Sequence, residues 1–362
     1  MNMKRLIVAL FLAFLFIGLQ TGCRHGLAVK IPADRFYSVT TDDGWTLKAA
    51  RYKPASPKPG ALPIILCHGA TANLYTWDLD ERHGMATYLS GLGYDVWSVN
   101  LRGRDKDPEA KTDDSPTRSW TFEEMLHHDL PAWINYVRKV TGAPQVIWIG
   151  HSMGGMLMYA YLETYGDSAI HAVVTIGSPV EFTDQKANKD LAKLRFLAGA
   201  LNPKHRIKLK WMARLSWPLA GLTDEMGRNT VFNPDNMPTK VREEYAYNAV
   251  SNSSVAILRE LVLWADNGTC FAPDGSMNYT KELGRVKVPV LMIAGAMDKL
   301  GTPKSVTHAF DSVSSEDKTL RIYSRANGDS FDYGHLDLIV GEKAPQEVYP
   351  VISDWVDAHQ TR

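Results

Sequence analysis

Six short apolar runs punctuate this chain, and helical patterns separate most of them. They are "LPIILC" (62–67), "YDVWSVN" (94–100), "QVIWIG" (145–150), "AVVTIG" (172–177), "VPVLMIAG" (288–295) and "TLRIYS" (319–324). A strand that is apolar throughout must be covered on both faces, and strands joined through helices run parallel. The runs therefore predict a mostly parallel central sheet with helices on both faces. Helix candidates lie at 81–92, 121–140, 153–165, 303–310 and 344–359. Upstream, "FYSVTTDDGWTLKAARYKP" alternates in the manner of an antiparallel hairpin turning at Asp43 and Gly44. The proline-rich "KPASPKPGALP" links it to the first parallel strand.

The rhythm breaks after Val180. About a hundred residues pass without a convincing buried strand, which is too long for a plain loop in a compact domain. This stretch holds Trp211, Trp217 and Trp264 and helical patterns such as "NAVSNSSVAILRELVLWA". It reads as a helical cap inserted over the carboxyl edge of the sheet, the edge where open α/β sheets bind ligands. The expected organisation is a leader segment at 1–23, core at 24–180, cap at 181–284 and core again at 285–362.

The leader has Lys4 and Arg5 followed by an uncharged run from Leu6 to Leu19. That run is shorter than the ~18–20 residues of a membrane span, and a basic start before a short apolar run has the pattern of an export signal. It ends in "LQTGC", which resembles the lipobox of bacterial lipoproteins although Gln20 stands where leucine is usual. The resemblance implies lipidation of Cys23 and anchoring at a membrane. An ordinary cleaved signal, giving a periplasmic or secreted protein, and an uncleaved anchor are the alternatives. Beyond Cys23 only Cys67 and Cys270 remain, too few for a disulfide framework, and Cys67 is expected to be buried at a strand end. Forty basic and forty acidic residues balance, so nothing favours a nucleic-acid partner. No group of His, Cys and carboxylates has zinc spacing, so no metal and no cofactor is expected.

One apolar run ends in an unusual way. "VIWIGHSMGGM" carries a strand into Gly150-His151-Ser152-Met153-Gly154, with a helical pattern starting at Met153. A serine hydroxyl becomes a useful nucleophile only when a base takes its proton and donors await the oxyanion. A strand–Gly-x-Ser-x-Gly–helix turn serves both needs: it strains and exposes the serine, and the glycines let backbones approach closely. The plain alternative is a glycine-rich turn that carries a serine by chance. The partners follow in the order serine, acid, histidine. "VLMIAGAMDKLGTP" sets Asp298 just past a strand, and "FDYGHLDLIVG" sets His335 in the loop before the last helix. His335 is the expected general base and Asp298 the carboxylate that orients it. Glu181 and Asp184 are alternative acids, while Asp332 and Asp337 are expected to cap loops. The loop "CHGATANLYTW" should complete the oxyanion hole, with the amides of Ala70 and Met153 as donors, Gly69 making the turn and His68 bracing it. His127 and His128 sit on a helix without ligand-like company, and His151 is expected to pack or hydrogen-bond locally.

The chain resembles the α/β-hydrolases, and within them the acid lipase group that includes lysosomal and gastric lipases. The segments that carry the resemblance are "VTTDDGWTL", "HGATANLYTW", "GYDVWSVNLRG", "WTFEEMLHHDLPAWINYVRKVTG", "IGHSMGG", "AGAMDKLGTP" and "GHLDLIVGEKAPQEVYPVI", in that order. The resemblance implies the α/β-hydrolase fold, Ser152 as nucleophile, Asp298 and His335 as its partners, and hydrolysis of small-molecule or lipid esters. Met153 stands where these lipases usually have glutamine and Ala70 where they have leucine, and the cap has no clear counterpart. Acyl transfer or thioester chemistry and peptide hydrolysis use the same residues, and a binding protein that has kept the fold is the non-catalytic alternative. The cap segment 186–217 mixes Lys and Arg with Leu, Phe and Trp. It reads either as a surface for an anionic membrane or as a solvated helix face. Sequons occur at Asn252, Asn267 and Asn278.

Overall fold

The computed structural model describes residues 27–104, 119–183, 198–216 and 231–360. The leader and Cys23 lie outside the described residues, as do Asp184, Trp217 and the 186–197 part of the basic segment 186–217. In chain order the main elements are β1 (Arg35–Thr40), β2 (Thr46–Tyr52), β3 (Ile64–Cys67), α1 (Met85–Gly91), β4 (Val96–Val99), α2 (Leu130–Thr141), β5 (Val146–His151), α3 (Met153–Tyr165) and β6 (Ile170–Ile176). Then come β7 (Arg206–Ile207), α4 (Leu209–Ser216), α5 (Thr239–Glu244), β8 (Ser253–Ser254) and α6 (Val255–Asn267). The chain closes with β9 (Val290–Gly295), α7 (Pro303–Ser312), β10 (Lys318–Tyr323), α8 (Asp337–Val340) and α9 (Ala344–Ala358).

Eight strands form one sheet in the order β1-β2-β4-β3-β5-β6-β9-β10. The hairpin β1–β2 and the β2–β4 pair are antiparallel, and every pair from β4 to β10 is parallel. The strand alternation sorts side chains onto two cores. In β5, Val146 and Trp148 join a cluster with Trp133, Leu157 and Val306, whereas Ile147 and Ile149 join one with Leu89, Val348 and Ile352. Helices α2, α3 and α7 therefore cover one face, and α1 and α9 the other. Because β3 pairs with β4 on one side and β5 on the other, the winding reverses there, and a crevice opens beyond the carboxyl ends of the strands.

Two expectations change. The helix expected at 121–140 is interrupted by a wide π turn at Met125–Asp129, where the Leu130 N–H reaches back to the Met125 carbonyl. Pro131 lacks the N–H that would serve the His127 carbonyl, so the helix widens just ahead of it. The bulge turns Asp129 into the interior, where it receives the Arg102 backbone N–H at 2.7 Å and Nε at 2.8 Å. The pattern "NAVSNSSVAILRELVLWA" is not one helix: Asn248 and Ala249 close a π turn that starts at Tyr245, and the α-helix begins only at Val255, where the Ser254 hydroxyl caps the Ala256 N–H at 3.1 Å. Ser253–Ser254 instead pairs with Arg206–Ile207, a two-residue ladder inside the stretch expected to hold no convincing buried strand. Among the described residues, no helix is long and apolar enough to cross a membrane.

One core carboxylate stands out. Glu163 on α3 is 3 % exposed, and neither of its oxygens has a partner among the described residues. Burial, reinforced by the Glu282 charge, pushes its pKa up to about 9. The unfolded chain releases this proton near pH 4.5 and the folded chain only near pH 9, so the stabilising contribution is complete below pH 4.5 and is lost as pH rises through about 9. Glu163→Gln cannot ionise and should be the more stable form at pH 7, by up to about 3 kcal/mol, with a flatter dependence above that. Urea denaturation of both proteins at pH 5, 7 and 9 tests this, and parallel curves would refute it.

Candidate active site

Ser152 sits between the last residue of β5 and the first of α3, with φ 51° and ψ −119°. Among the described residues it is the one non-glycine residue with positive φ. A side chain in that region is strained, and the surrounding contacts must hold it there. They do so from both sides: the Ser152 N–H donates to the Ile176 carbonyl at 2.8 Å, and its carbonyl accepts from Gly155 and Met156 at 3.0 and 3.1 Å. The flanking glycines are needed for space. A side-chain carbon on Gly150 would lie 2.5 Å from the Gly154 backbone, and one on Gly69 would lie 3.1 Å from the Ser152 Cβ.

His335 and Asp298 come from the loops after β10 and β9. The His335 Nδ1–H donates to Asp298 Oδ2 at 2.7 Å, and both side chains are buried. The other Asp298 oxygen accepts the Leu300 and Gly301 N–H groups at 2.8 and 2.9 Å. The carboxylate is thus clamped with one oxygen turned to the imidazole. Gly177, with φ 56°, lets the pair pass: a side chain there would sit 3.0 Å from Asp298 Oδ2 and 3.1 Å from His335 Nδ1. The carboxylates nearer in sequence do other work. Asp337 accepts from the Gly334 and Asn233 N–H groups at 3.0 Å, and Asp332 accepts from the Arg325 N–H at 3.0 Å. Glu181 accepts from the Thr183 hydroxyl.

His151 has a more definite place than local packing. Its Nε2–H donates to the His335 carbonyl at 3.1 Å and the two rings lie 4.6 Å apart. Burial holds it well below the usual histidine pKa, so it stays neutral. His68 is likewise kept neutral by burial. Its Nδ1–H donates to the Gly69 carbonyl at 2.8 Å while Nε2 accepts the Leu101 N–H at 3.3 Å. The Gly69 carbonyl and the Ala70 N–H belong to one trans peptide, so holding the first turns the second the opposite way. Neither the Ala70 nor the Met153 N–H has a protein partner among the described residues.

Ser152, His335, Ala70 and Met153 line one cavity of about 580 Å³. Its walls are mostly apolar, with Met156, Phe182, Ile207 and Leu261 among them, and Arg242 and Glu243 are the charged side chains that reach it among the described residues. Residues of β7, α4, α5, β8 and α6, all between β6 and β9, supply much of the lining. On α4, Trp211 and Met212 point outward, 63 % and 54 % exposed. Away from the cavity, His128 has company that its sequence neighbourhood does not suggest: Asp42 lies 2.6 Å from its Nδ1, and Asp43 stands close by. Asp43 is already engaged by the Arg102 guanidinium at 2.7 and 3.0 Å.

Sequence reasoning missed Gly177 and Arg104. The first has no local signature, and the second reaches the Ala70 carbonyl from a different loop, 34 residues away.

Comparison with known proteins agrees with this architecture. The profile of the alpha/beta hydrolase fold family matches residues 63–341. The chain is 26 % identical to lipase lipl-1 of Caenorhabditis elegans over 88 % of its length and 87 % of that protein. It is also 26 % identical to gastric triacylglycerol lipase of Homo sapiens, covering 86 % of this chain and 85 % of the other. Among solved structures it is similar to a monoacylglycerol lipase of Paleococcus ferrophilus, with a TM-score of 0.58 and 19 % identity, over 86 % of this chain and 99 % of that one. An esterase of Exiguobacterium antarcticum gives the same TM-score at 16 % identity, over 88 % and 98 %. With its sheet order, its serine turn and a family match over most of its length, the chain belongs to the alpha/beta hydrolase fold family.

Proposed function

We propose that this protein is an exported serine hydrolase that cleaves carboxylic esters, with lipid esters the favoured class. The observation that carries the reading is the joint placement of a strained Ser152 and an Asp298-bound His335 on one apolar cavity. With Nδ1–H committed to Asp298, the His335 Nε2 lone pair is free to take the Ser152 proton. The Ser152 Oγ attacks the ester carbonyl, and the Ala70 and Met153 N–H groups receive the developing oxyanion. The tetrahedral species collapses, the bond to the alkoxy oxygen breaks, and His335 Nε2–H protonates the departing alcohol. Water then attacks the acyl-enzyme, gives its proton to His335, and releases the acid and the free serine. Residues 181–284 act as a cap whose apolar lining selects the acyl chain. Relatives named as lipases support the lipid class, and the basic-then-apolar leader supports export.

Incubation with a fluorophosphonate probe tests the nucleophile: the native protein should label at one site and Ser152→Ala should not. A folded native protein that resists the probe would instead favour a binding role. A p-nitrophenyl ester series tests the cavity. Each buried methylene contributes about 0.8 kcal/mol, so kcat/KM should climb by at least about 10-fold from acetate to octanoate. Indifference to chain length would argue against an acyl-binding role for the cavity.

A further inference from the structure

The loop that carries Ala70 is not held by the sheet alone. Residues 248–252, from the stretch between β6 and β9, are stitched along it. The Ser251 N–H donates to the Thr71 carbonyl at 2.8 Å, and Ala72 bridges Val250. The Asn73 amide donates to the Asn248 carbonyl and to the Ser251 hydroxyl, both at 2.9 Å. Arg104 stands where these two segments meet the loop after β4. Its Nη2–H donates to the Ala70 carbonyl at 2.7 Å and its Nη1–H to the Asn252 carbonyl at 3.0 Å. The residue is 7 % exposed, with its guanidinium 5.9 Å from the centre of the Trp120 ring.

We propose that Arg104 is a positioning residue for catalysis: by clasping the Ala70 and Asn252 carbonyls together, it sets the Ala70 amide for the oxyanion and makes that setting depend on the seating of the cap. The proposal rests on the reading of Ala70 as an oxyanion donor. Two physical effects act in the same direction. The first is geometric. The Gly69–Ala70 peptide is held on one side by His68; the Ala70–Thr71 peptide, which Arg104 holds, fixes the other side of the same Cα. With both neighbouring planes pinned, the Ala70 N–H cannot swing away from the cavity. The second is electrostatic. The guanidinium charge is buried, so water screens it little, and it already weighs against protonation of His68 in the same loop. A positive charge so placed favours negative charge developing over the Ala70 amide. A guanidinium suits this role because its planar fork spans two acceptors at once, which an ammonium on a flexible stem does not reproduce. The arrangement also couples substrate to chemistry. A chain that disturbs residues 248–252 loosens the clasp, and one that packs beneath them tightens it.

Arg104→Met and Arg104→Lys test the proposal on p-nitrophenyl esters. Arg104→Met should lower kcat by about 10- to 100-fold with KM changed less than about threefold, since small misplacements of a catalytic donor act on the transition state. Inhibition by a trifluoromethyl ketone of matching chain length, which adds to Ser152 as a charged hemiketal, should weaken by the same factor as kcat/KM. Arg104→Lys keeps the charge and at most part of the clasp, and should fall between the two. A residue that merely supports the fold would lower the melting temperature and raise KM without that parallel loss. Unchanged kcat in Arg104→Met overturns the proposal, as does a loss confined to KM with ketone inhibition unaltered. If Arg104→Met does not fold, wild-type kcat in Arg104→Lys overturns the clasp. A native protein that is inert to esters and to the fluorophosphonate overturns the underlying reading as well, whereas a fully active one with unaffected Arg104 variants overturns this proposal alone.

Discussion

Asp298→Asn should lower kcat by about 10,000-fold while leaving the fold and substrate binding intact. The size of the effect follows from how this carboxylate is held. Oδ1 accepts two backbone N–H groups, from Leu300 and Gly301. An asparagine at this position must therefore keep its carbonyl oxygen on those donors and turn its amide nitrogen toward His335. Two N–H groups then face each other across the present 2.7 Å contact. His335 relieves the conflict by moving its proton to Nε2, where it blocks uptake of the Ser152 proton. The charge that steadies the imidazolium is lost as well. Steady-state kinetics on a short p-nitrophenyl ester, with KM and thermal unfolding as controls, reads the outcome. An Asp298→Asn enzyme within 10-fold of the native kcat would show that Asp298 is not the orienting acid.

The second large effect is expected at Gly154. A methyl group there would lie 2.4 Å from the Cys67 carbonyl oxygen, 2.9 Å from the Cys67 carbonyl carbon and 2.9 Å from the His68 oxygen. All three contacts are backbone atoms of β3 and the loop that follows it, so no change of rotamer relieves them. Either α3 withdraws from β3 or the loop bearing Ala70 shifts. Gly154→Ala should cost about 3–4 kcal/mol of stability. Because the displaced atoms flank both proposed oxyanion donors, it should also lower kcat by at least about 100-fold where the fold survives. Urea denaturation and kinetics at low temperature measure the two losses separately. A stable and fully active Gly154→Ala would mean that α3 and the loop adjust freely, against the close approach described here.

The contrast between α3 and α6 explains what could be read from the chain and what could not. Helix α3 starts at Met153 and ends at Tyr165, as its pattern predicts, because a strand end, a serine turn and a glycine after the last turn are local signals. Ser254 gives α6 a local cap, but what breaks the helical pattern before it is not local. The apolar spacing runs on from the π turn that ends at Ala249, but residues 251–254 find better partners for their backbone in the Thr71 carbonyl and in the Arg206–Ile207 ladder. Tertiary pairing outweighs periodicity there. The same distinction holds at the site. Ser152, Asp298 and His335 each follow a strand, so a chain-order argument reaches them, and the structure sets Asp298 on His335. Arg104 bridges loops 34 and 148 residues away, and Gly177 matters only because a distant pair crosses above it. Neither has a signature that spacing can reveal. The π turn is intermediate: Pro131 announces a disturbance, but only the buried Arg102 explains why the turn widens inward.

The strand order has a consequence for the timing of synthesis. Ser152 lies in the first half of the chain, whereas β9 and β10, whose following loops carry Asp298 and His335, come after the long stretch beyond β6. A growing polypeptide folds its earlier segments first, so through much of its synthesis Ser152 has neither His335 nor Asp298 beside it. On the proposed mechanism, the serine becomes reactive only once β9 has docked against β6 and β10 against β9. On that mechanism the chain has a built-in delay, set by how far beyond Ser152 His335 lies.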